Sequence, residues 1–313
     1  NSSNIKEPDF FLDKKKYSQG PQAYVSLFAG APKCEELTKK GQKRYYIDAS
    51  VKYIFNRMVP KRMKEMIPAS LHDSLRFVAV FREPVDRDRS WAGQKAKIAD
   101  EDDEKMKELA TDEGYLRDLK TRMDRFEDGE RSDIRNGFYE LHVAEYLKEF
   151  KREQFLFLNF DTMIMNETDS LTRIMNHLGL DLEPIRDILK LPQVNVRKDG
   201  DQVTPLRDLD ADVCSDFAEV YTPHLEALYQ EMEKPGFSRW QPPFPRFQHP
   251  CKIPTLSEAK VVELRKEVHG GKGLPWPTLF YLGAPKTGST SLWNLLRQHP
   301  HVCGAKNSSN IKE

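Results

Sequence analysis

No stretch of this sequence stays apolar for the ~20 residues that a membrane-crossing helix needs. Its four cysteines, Cys34, Cys214, Cys251 and Cys303, stand far apart and form no CxxC pair. That spacing argues against a zinc site and leaves room for zero, one or two disulfides. Net charge is missing too, because 49 basic and 49 acidic side chains cancel. No global field therefore draws in a nucleic acid, and any anion site has to be local. The opening NSSNIKEPDF lacks a basic-then-apolar leader pattern, though a removed leader or anchor would leave the compartment open. Tripeptides at Asn1, Asn166 and Asn307 fit the N-glycosylation acceptor pattern, a weak pointer to the secretory pathway.

What is present suits a folded chain. With 313 residues, 38% apolar and 31% charged, it can bury one large core or two modest ones. Four segments rich in β-branched and aromatic residues predict buried strands: Arg44–Ala49, Arg76–Arg82, Phe155–Phe160 and Thr278–Gly283. Their near-continuous apolar character suits a parallel sheet covered on both faces. Helical spacing marks Tyr139–Phe150, Ser170–Leu178 and Asp212–Met232. The alternation predicts an α/β fold. Residues 100–133 are dense in both charge signs and predict a solvated helical face or lid without chemistry. Pro235–Pro254 predicts an irregular wrapping segment or a linker.

The segment YLGAPKTGSTSLWNLLRQHPHV, from Tyr281 to Val302, carries the clearest chemistry. A strand ends at Gly283, a tight turn follows, and Ser289–His299 predicts a helix. Small residues admit an anion to backbone N–H groups, and a helix N-terminus adds partial positive charge. Lys286 supplies a point charge, while Thr287, Ser289, Thr290 and Ser291 supply hydroxyl donors. The segment is not a Walker A loop, which places lysine directly after its second glycine; here Ser289 follows Gly288, and Lys286 precedes it by two.

Pro285–Leu292 (PKTGSTSL) resembles the 5′-phosphosulfate loop of sulfotransferases that use 3′-phosphoadenosine 5′-phosphosulfate (PAPS). The segment FREPVDRDRS, from Phe81 to Ser90, is similar to that family's 3′-phosphate motif: a strand ending in arginine, a proline turn, and a serine eight residues on. Ile47–Tyr53 and Gly137–Met163 resemble units of its carbohydrate-type, heparan-sulfate branch. One departure is that Ala49 follows Asp48, where glycosaminoglycan enzymes often carry lysine. The resemblance implies a P-loop-like three-layer fold with a central parallel sheet flanked by helices. It implies cofactor contacts from Pro285, Lys286, Thr287, Gly288, Ser289, Thr290 and Ser291 at one phosphate, and from Arg82 and Ser90 at the other. Arg197 and Lys198 stand where the family often places a basic glycine loop over the cofactor, although Asp199 interrupts the pattern; a solvated turn is the alternative.

The family order runs from the phosphosulfate loop to an acidic residue before two aromatics. Here the loop comes last, and NSSNIKE occurs at both Asn1–Glu7 and Asn307–Glu313. Joining the ends restores the family order. The chain therefore resembles a circularly permuted single sulfotransferase domain over 1–313. Its parts are the family's middle and C-terminal portion (1–234), a proline-rich wrapping segment (235–277) and the phosphosulfate unit (278–313). A tandem array of identical copies and a deliberate rearrangement are both open origins. The two ends are expected to lie close together at the surface, near the mouth of the cofactor cleft.

The resemblance implies transfer of a sulfuryl group from PAPS to an acceptor hydroxyl, releasing adenosine 3′,5′-bisphosphate, with no metal and no nucleic acid involved. Glu7 is the expected general base, with Glu313 as the alternative copy, and Lys286 is expected to meet charge on the leaving phosphate. The acceptor is a carbohydrate hydroxyl or, alternatively, a small-molecule or natural-product alcohol. The family and the glycosylation patterns favour the Golgi lumen. Two rivals are a P-loop nucleotide kinase or NTPase, disfavoured by the lysine's position, and a non-catalytic PAPS-binding domain.

Overall fold

Alternation along the strands divides the core in two. The computed structural model describes residues 4–5, 7–28, 44–100, 103–127, 133–188, 204–248, 251, 279–282 and 289–306. Six strands are described: β1 (Asn4–Ile5), β2 (Tyr45–Asp48), β3 (Arg76–Phe81), β4 (Phe155–Asn159), β5 (Leu279–Tyr281) and β6 (Val302–Lys306). Phe77, Phe81, Phe155, Phe157 and Phe280 point to one face of the sheet. Val78, Val80, Leu156, Leu158, Leu279 and Tyr281 point to the other. Period-two alternation with both faces apolar is what a sheet buried on both sides requires.

On the first face the rings of Phe77 and Phe155 stack at 4.6 Å, and those of Phe77 and Phe280 at 5.5 Å. Helices Met58–Met66, Pro84–Ile98, Tyr139–Glu149 and Ala211–Glu233 bury residues in this layer. Helices Glu167–Leu178 and Ser289–Leu296 cover the opposite face through Leu171, Ile174, Leu292 and Leu295. The result is the expected α/β three-layer arrangement.

The strand order is β1-β6-β2-β5-β3-β4. The pairs β6–β2, β2–β5, β5–β3 and β3–β4 are parallel. β5, near the end of the chain, thus sits between β2 and β3, in the middle of the sheet. β1 adds antiparallel to β6, with Asn4 opposite Lys306. The ends of the described chain are therefore adjacent, while Asn307–Glu313 lie outside the described residues. Two strands, β1 and β6, carry no clear sequence signal: β1 is two residues long, and β6 (VCGAK) contains glycine and alanine.

Two expectations change. The strand foreseen at Phe155–Phe160 stops at Asn159, whose side chain accepts from the amides of Asp161 and Thr162 and caps a helix starting at Phe160. The charge-dense region is also more than a solvated face. Its helix Asp112–Glu127 buries Tyr115 and Leu119 completely. Arg122 closes on Asp88 of the Pro84–Ile98 helix with two bonds of 2.9 Å. Burial alone would raise the Asp88 carboxyl; the Arg122 guanidinium reverses this and holds it below the ordinary range.

The proline-rich segment runs along the outer edge of β4. Gln241 accepts from Phe157 N at 2.7 Å and donates to Phe157 O at 2.8 Å, satisfying backbone groups that an edge strand leaves open. Cys214 is bridged to Cys251, with Cα atoms 5.6 Å apart. Cys303 is disulfide-bonded as well.

Candidate active site

In open α/β sheets ligands bind beyond the carboxyl ends of the strands. Three adjacent strands, β2, β5 and β3, end here side by side. Each leads to a distinct element: a buried acid at the end of β2 with a hydroxyl just beyond it, the Ser289–Leu296 helix that follows β5 in the chain, and an arginine with a helix start after β3.

The β3 corner follows from its sequence. Arg82-Glu83-Pro84 cannot continue the strand, since proline presets the first helical turn. Glu83, 1% exposed, accepts from the amide of Asp86 at 2.8 Å and caps the helix. Arg82 is held by its backbone: the Tyr139 hydroxyl donates to the Arg82 carbonyl at 2.8 Å. Burial pushes the Tyr139 hydroxyl up to about 12, so it remains a donor at neutral pH. The Arg82 guanidinium lies over the Phe160 ring, 5.0 Å from its centroid, and its Nε is buried without a partner. Among the described residues no carboxylate neutralises it. A buried donor with no acceptor is costly, and a phosphate oxygen would satisfy it. The residue thus fits the 3′-phosphate role. Ser90, half-buried, lies two turns along the same helix.

At β5 the described residues resume with the helix Ser289–Leu296, in which Thr290 is half-buried and Ser291 is 9% exposed. Pro285, Lys286, Thr287 and Gly288 lie outside the described residues, as do Arg197, Lys198 and Glu313.

Glu7 is half-buried and precedes a firmly docked segment. Phe10 and Phe11 are 2% and 0% exposed, and Phe11 packs edge-on against Tyr53 at 5.7 Å and Phe280 at 6.5 Å. Lys16 Nζ donates to the Pro8 carbonyl at 2.7 Å. The two aromatics after the acid therefore anchor the segment against Tyr53, beyond β2, and Phe280 of β5, as the sequence suggests.

Sequence reasoning passed over the group beneath this segment. Asp48 ends β2 and is fully buried. Its carboxylate accepts from Tyr24 Oη at 2.6 Å, Tyr53 Oη at 3.0 Å, Ser50 Oγ at 2.7 Å and Ser50 N at 3.0 Å. Burial pushes the carboxyl up to about 6, against the pull of these hydrogen bonds. The sequence signal was the Asp-x-Ser spacing of Asp48 and Ser50, which suits an Asx-type turn; the tyrosine partners had none.

A family model described as "Sulfotransferase domain" matches residues 4–206. The matched residues include Glu7, Asp48, Arg82 and Ser90; the 281–302 stretch lies beyond them. No curated protein matches the chain.

Proposed function

The chain belongs to the sulfotransferase domain family, and we propose that it transfers the sulfuryl group of PAPS to an acceptor hydroxyl, with carbohydrate as the acceptor class. The observation that carries this reading is Arg82: a guanidinium with a buried, unpartnered Nε at the strand edge beside the phosphate-turn strand. Arg82 and Ser90 would grip the 3′-phosphate, which keeps the reacting groups in line. Lys286, its neighbours Pro285, Thr287 and Gly288, and Ser289, Thr290 and Ser291 would meet the charge that develops on the leaving phosphate oxygen. The acceptor oxygen bonds to sulfur as the sulfur–phosphate-oxygen bond breaks, and its proton passes to the Glu7 carboxylate. The similarity of Ile47–Tyr53 and Gly137–Met163 to the carbohydrate branch supports the acceptor class. The disulfides suit an oxidising compartment such as the secretory lumen.

The test is sulfuryl transfer from labelled PAPS to a panel of carbohydrate and small-alcohol acceptors, without magnesium. Transfer to a carbohydrate is the expected result. Bisphosphate binding without turnover on any acceptor would favour a non-catalytic domain, and a magnesium requirement with nucleotide triphosphate would favour a kinase.

The permuted order is part of the proposal. Its support is the central place of β5 and the pairing of Asn4 with Lys306. A chain running from Lys306 straight into NSSNIKE would need only Asn-Ser-Ser to turn between the two strands, the length of a common hairpin loop. A variant with Lys306 joined to Asn1, lacking the second heptapeptide and opened within 252–278, should keep its melting temperature and bisphosphate affinity. Loss of either counts against the permuted order.

A further inference from the structure

We propose that Asp48 is a positioning residue for proton removal: through Ser50 and Tyr53 it holds the Glu7 segment over the carboxyl edge of the sheet. This rests on the reading of Glu7 as the base.

The geometry is directional. Ser50 Oγ donates to Asp48 Oδ1 at 2.7 Å and accepts from Asp9 N at 2.9 Å. Tyr53 Oη donates to Asp48 Oδ2 at 3.0 Å and accepts from Phe11 N at 3.3 Å. Each hydroxyl has one proton, and the carboxylate takes it. The lone pairs then face the segment, where two amides two residues apart find their acceptors. Asp48 thus orients both hydroxyls without touching the segment itself. The backbone between these two amides is under tension, since Asp9 has φ +52°. A left-handed non-glycine residue costs on the order of 1 kcal/mol or more and persists only where its surroundings enforce it. The enforced residue lies two positions after Glu7, at the start of a turn in which the amides of Leu12 and Asp13 donate to the Asp9 carbonyl.

An amide at position 48 cannot do this. Its oxygen would stay with Ser50, whose N–H must donate, so the NH2 group would face Tyr24 and Tyr53. Tyr53 would then accept from the amide, and its proton would turn toward the Phe11 N–H.

The experiment compares Asp48→Asn, Tyr53→Phe, Ser50→Ala and Tyr24→Phe with the unaltered full chain. Turnover, adenosine 3′,5′-bisphosphate affinity and amide hydrogen exchange at Asp9 and Phe11 are measured for each. Asp48→Asn and Tyr53→Phe should lower kcat at least tenfold, keep bisphosphate Kd within threefold and accelerate exchange at Phe11. Ser50→Ala should accelerate exchange at Asp9. Tyr24→Phe removes a donor but neither relay, and should change kcat less than threefold. Retained kcat in both Asp48→Asn and Tyr53→Phe, or unchanged exchange, overturns the proposal; so does a parallel collapse of kcat and bisphosphate affinity, which marks a structural role. Should Asp48→Asn fail to fold, Tyr53→Phe and Ser50→Ala decide alone. Glu7→Gln separates the two ideas: full turnover there overturns the base assignment, while exchange at Asp9 and Phe11 still decides the anchoring.

Discussion

Replacing Arg82 by alanine removes a guanidinium that has no ion-pair partner among the described residues. Its Nε is buried without an acceptor, and its plane lies 5.0 Å from the Phe160 ring centroid. In the free protein the loss is small: a cation–π contact at a partly exposed site is worth about 0.5–1 kcal/mol, and removing the orphaned donor offsets part of it. The bound state differs, because a hydrogen bond to a charged group is worth ~1.5–3 kcal/mol. At about 1.4 kcal/mol per decade, even one such bond to a 3′-phosphate corresponds to a roughly 10–150-fold loss of affinity. The alanine variant should therefore unfold within about 1 kcal/mol of the parent yet bind adenosine 3′,5′-bisphosphate at least tenfold more weakly. Adenosine 5′-monophosphate, which lacks the 3′-phosphate, should bind the two proteins within about threefold. Calorimetry with both ligands and urea unfolding of both proteins test this. Equal losses for the two nucleotides, or a large loss of stability, would refute the reasoning.

Lys286→Ala should abolish transfer from labelled PAPS while leaving far-UV dichroism and melting unchanged; near-parental turnover would remove the phosphosulfate assignment. Asp48 has its folded pKa raised from 3.8 to about 6 by burial, so its contribution to stability is fully present below about 3.8 and lost as pH rises through about 6. That gap corresponds to ~3 kcal/mol; between pH 4 and pH 7 urea unfolding should show the parent losing that much stability relative to Asp48→Asn, and an identical pH dependence in both proteins would contradict it. Arg122→Leu should cost about 3–5 kcal/mol, since it strands the Asp88 carboxylate, whose side chain is 4% exposed. A loss under about 1 kcal/mol in urea unfolding would mean that the pair is not buried in solution.

By itself the sequence determined the four strands β2 to β5, the strand–proline–helix corner at Arg82 and the two aromatics behind Glu7. These signals are local: apolar runs, a proline that ends a strand, and residues adjacent in the chain. Strand order could be expected only through resemblance, since nothing within Leu279–Tyr281 says which strands will flank it; the hydrogen-bonded register does. The strands β1, at one edge, and β6, beside it, escaped notice because pairing, not composition, makes them strands. The charge-rich helix looked solvated because its pattern cannot reveal that Arg122 meets Asp88 34 residues away. The Asp48 network was the least legible of all. Its members come from Tyr24, Asp48, Ser50 and Tyr53, and the amides that it serves belong to Asp9 and Phe11. A buried carboxylate becomes informative only when its donors are known, and those donors are brought to it by folding, across 24 residues for Tyr24 and 42 between Phe11 and Tyr53.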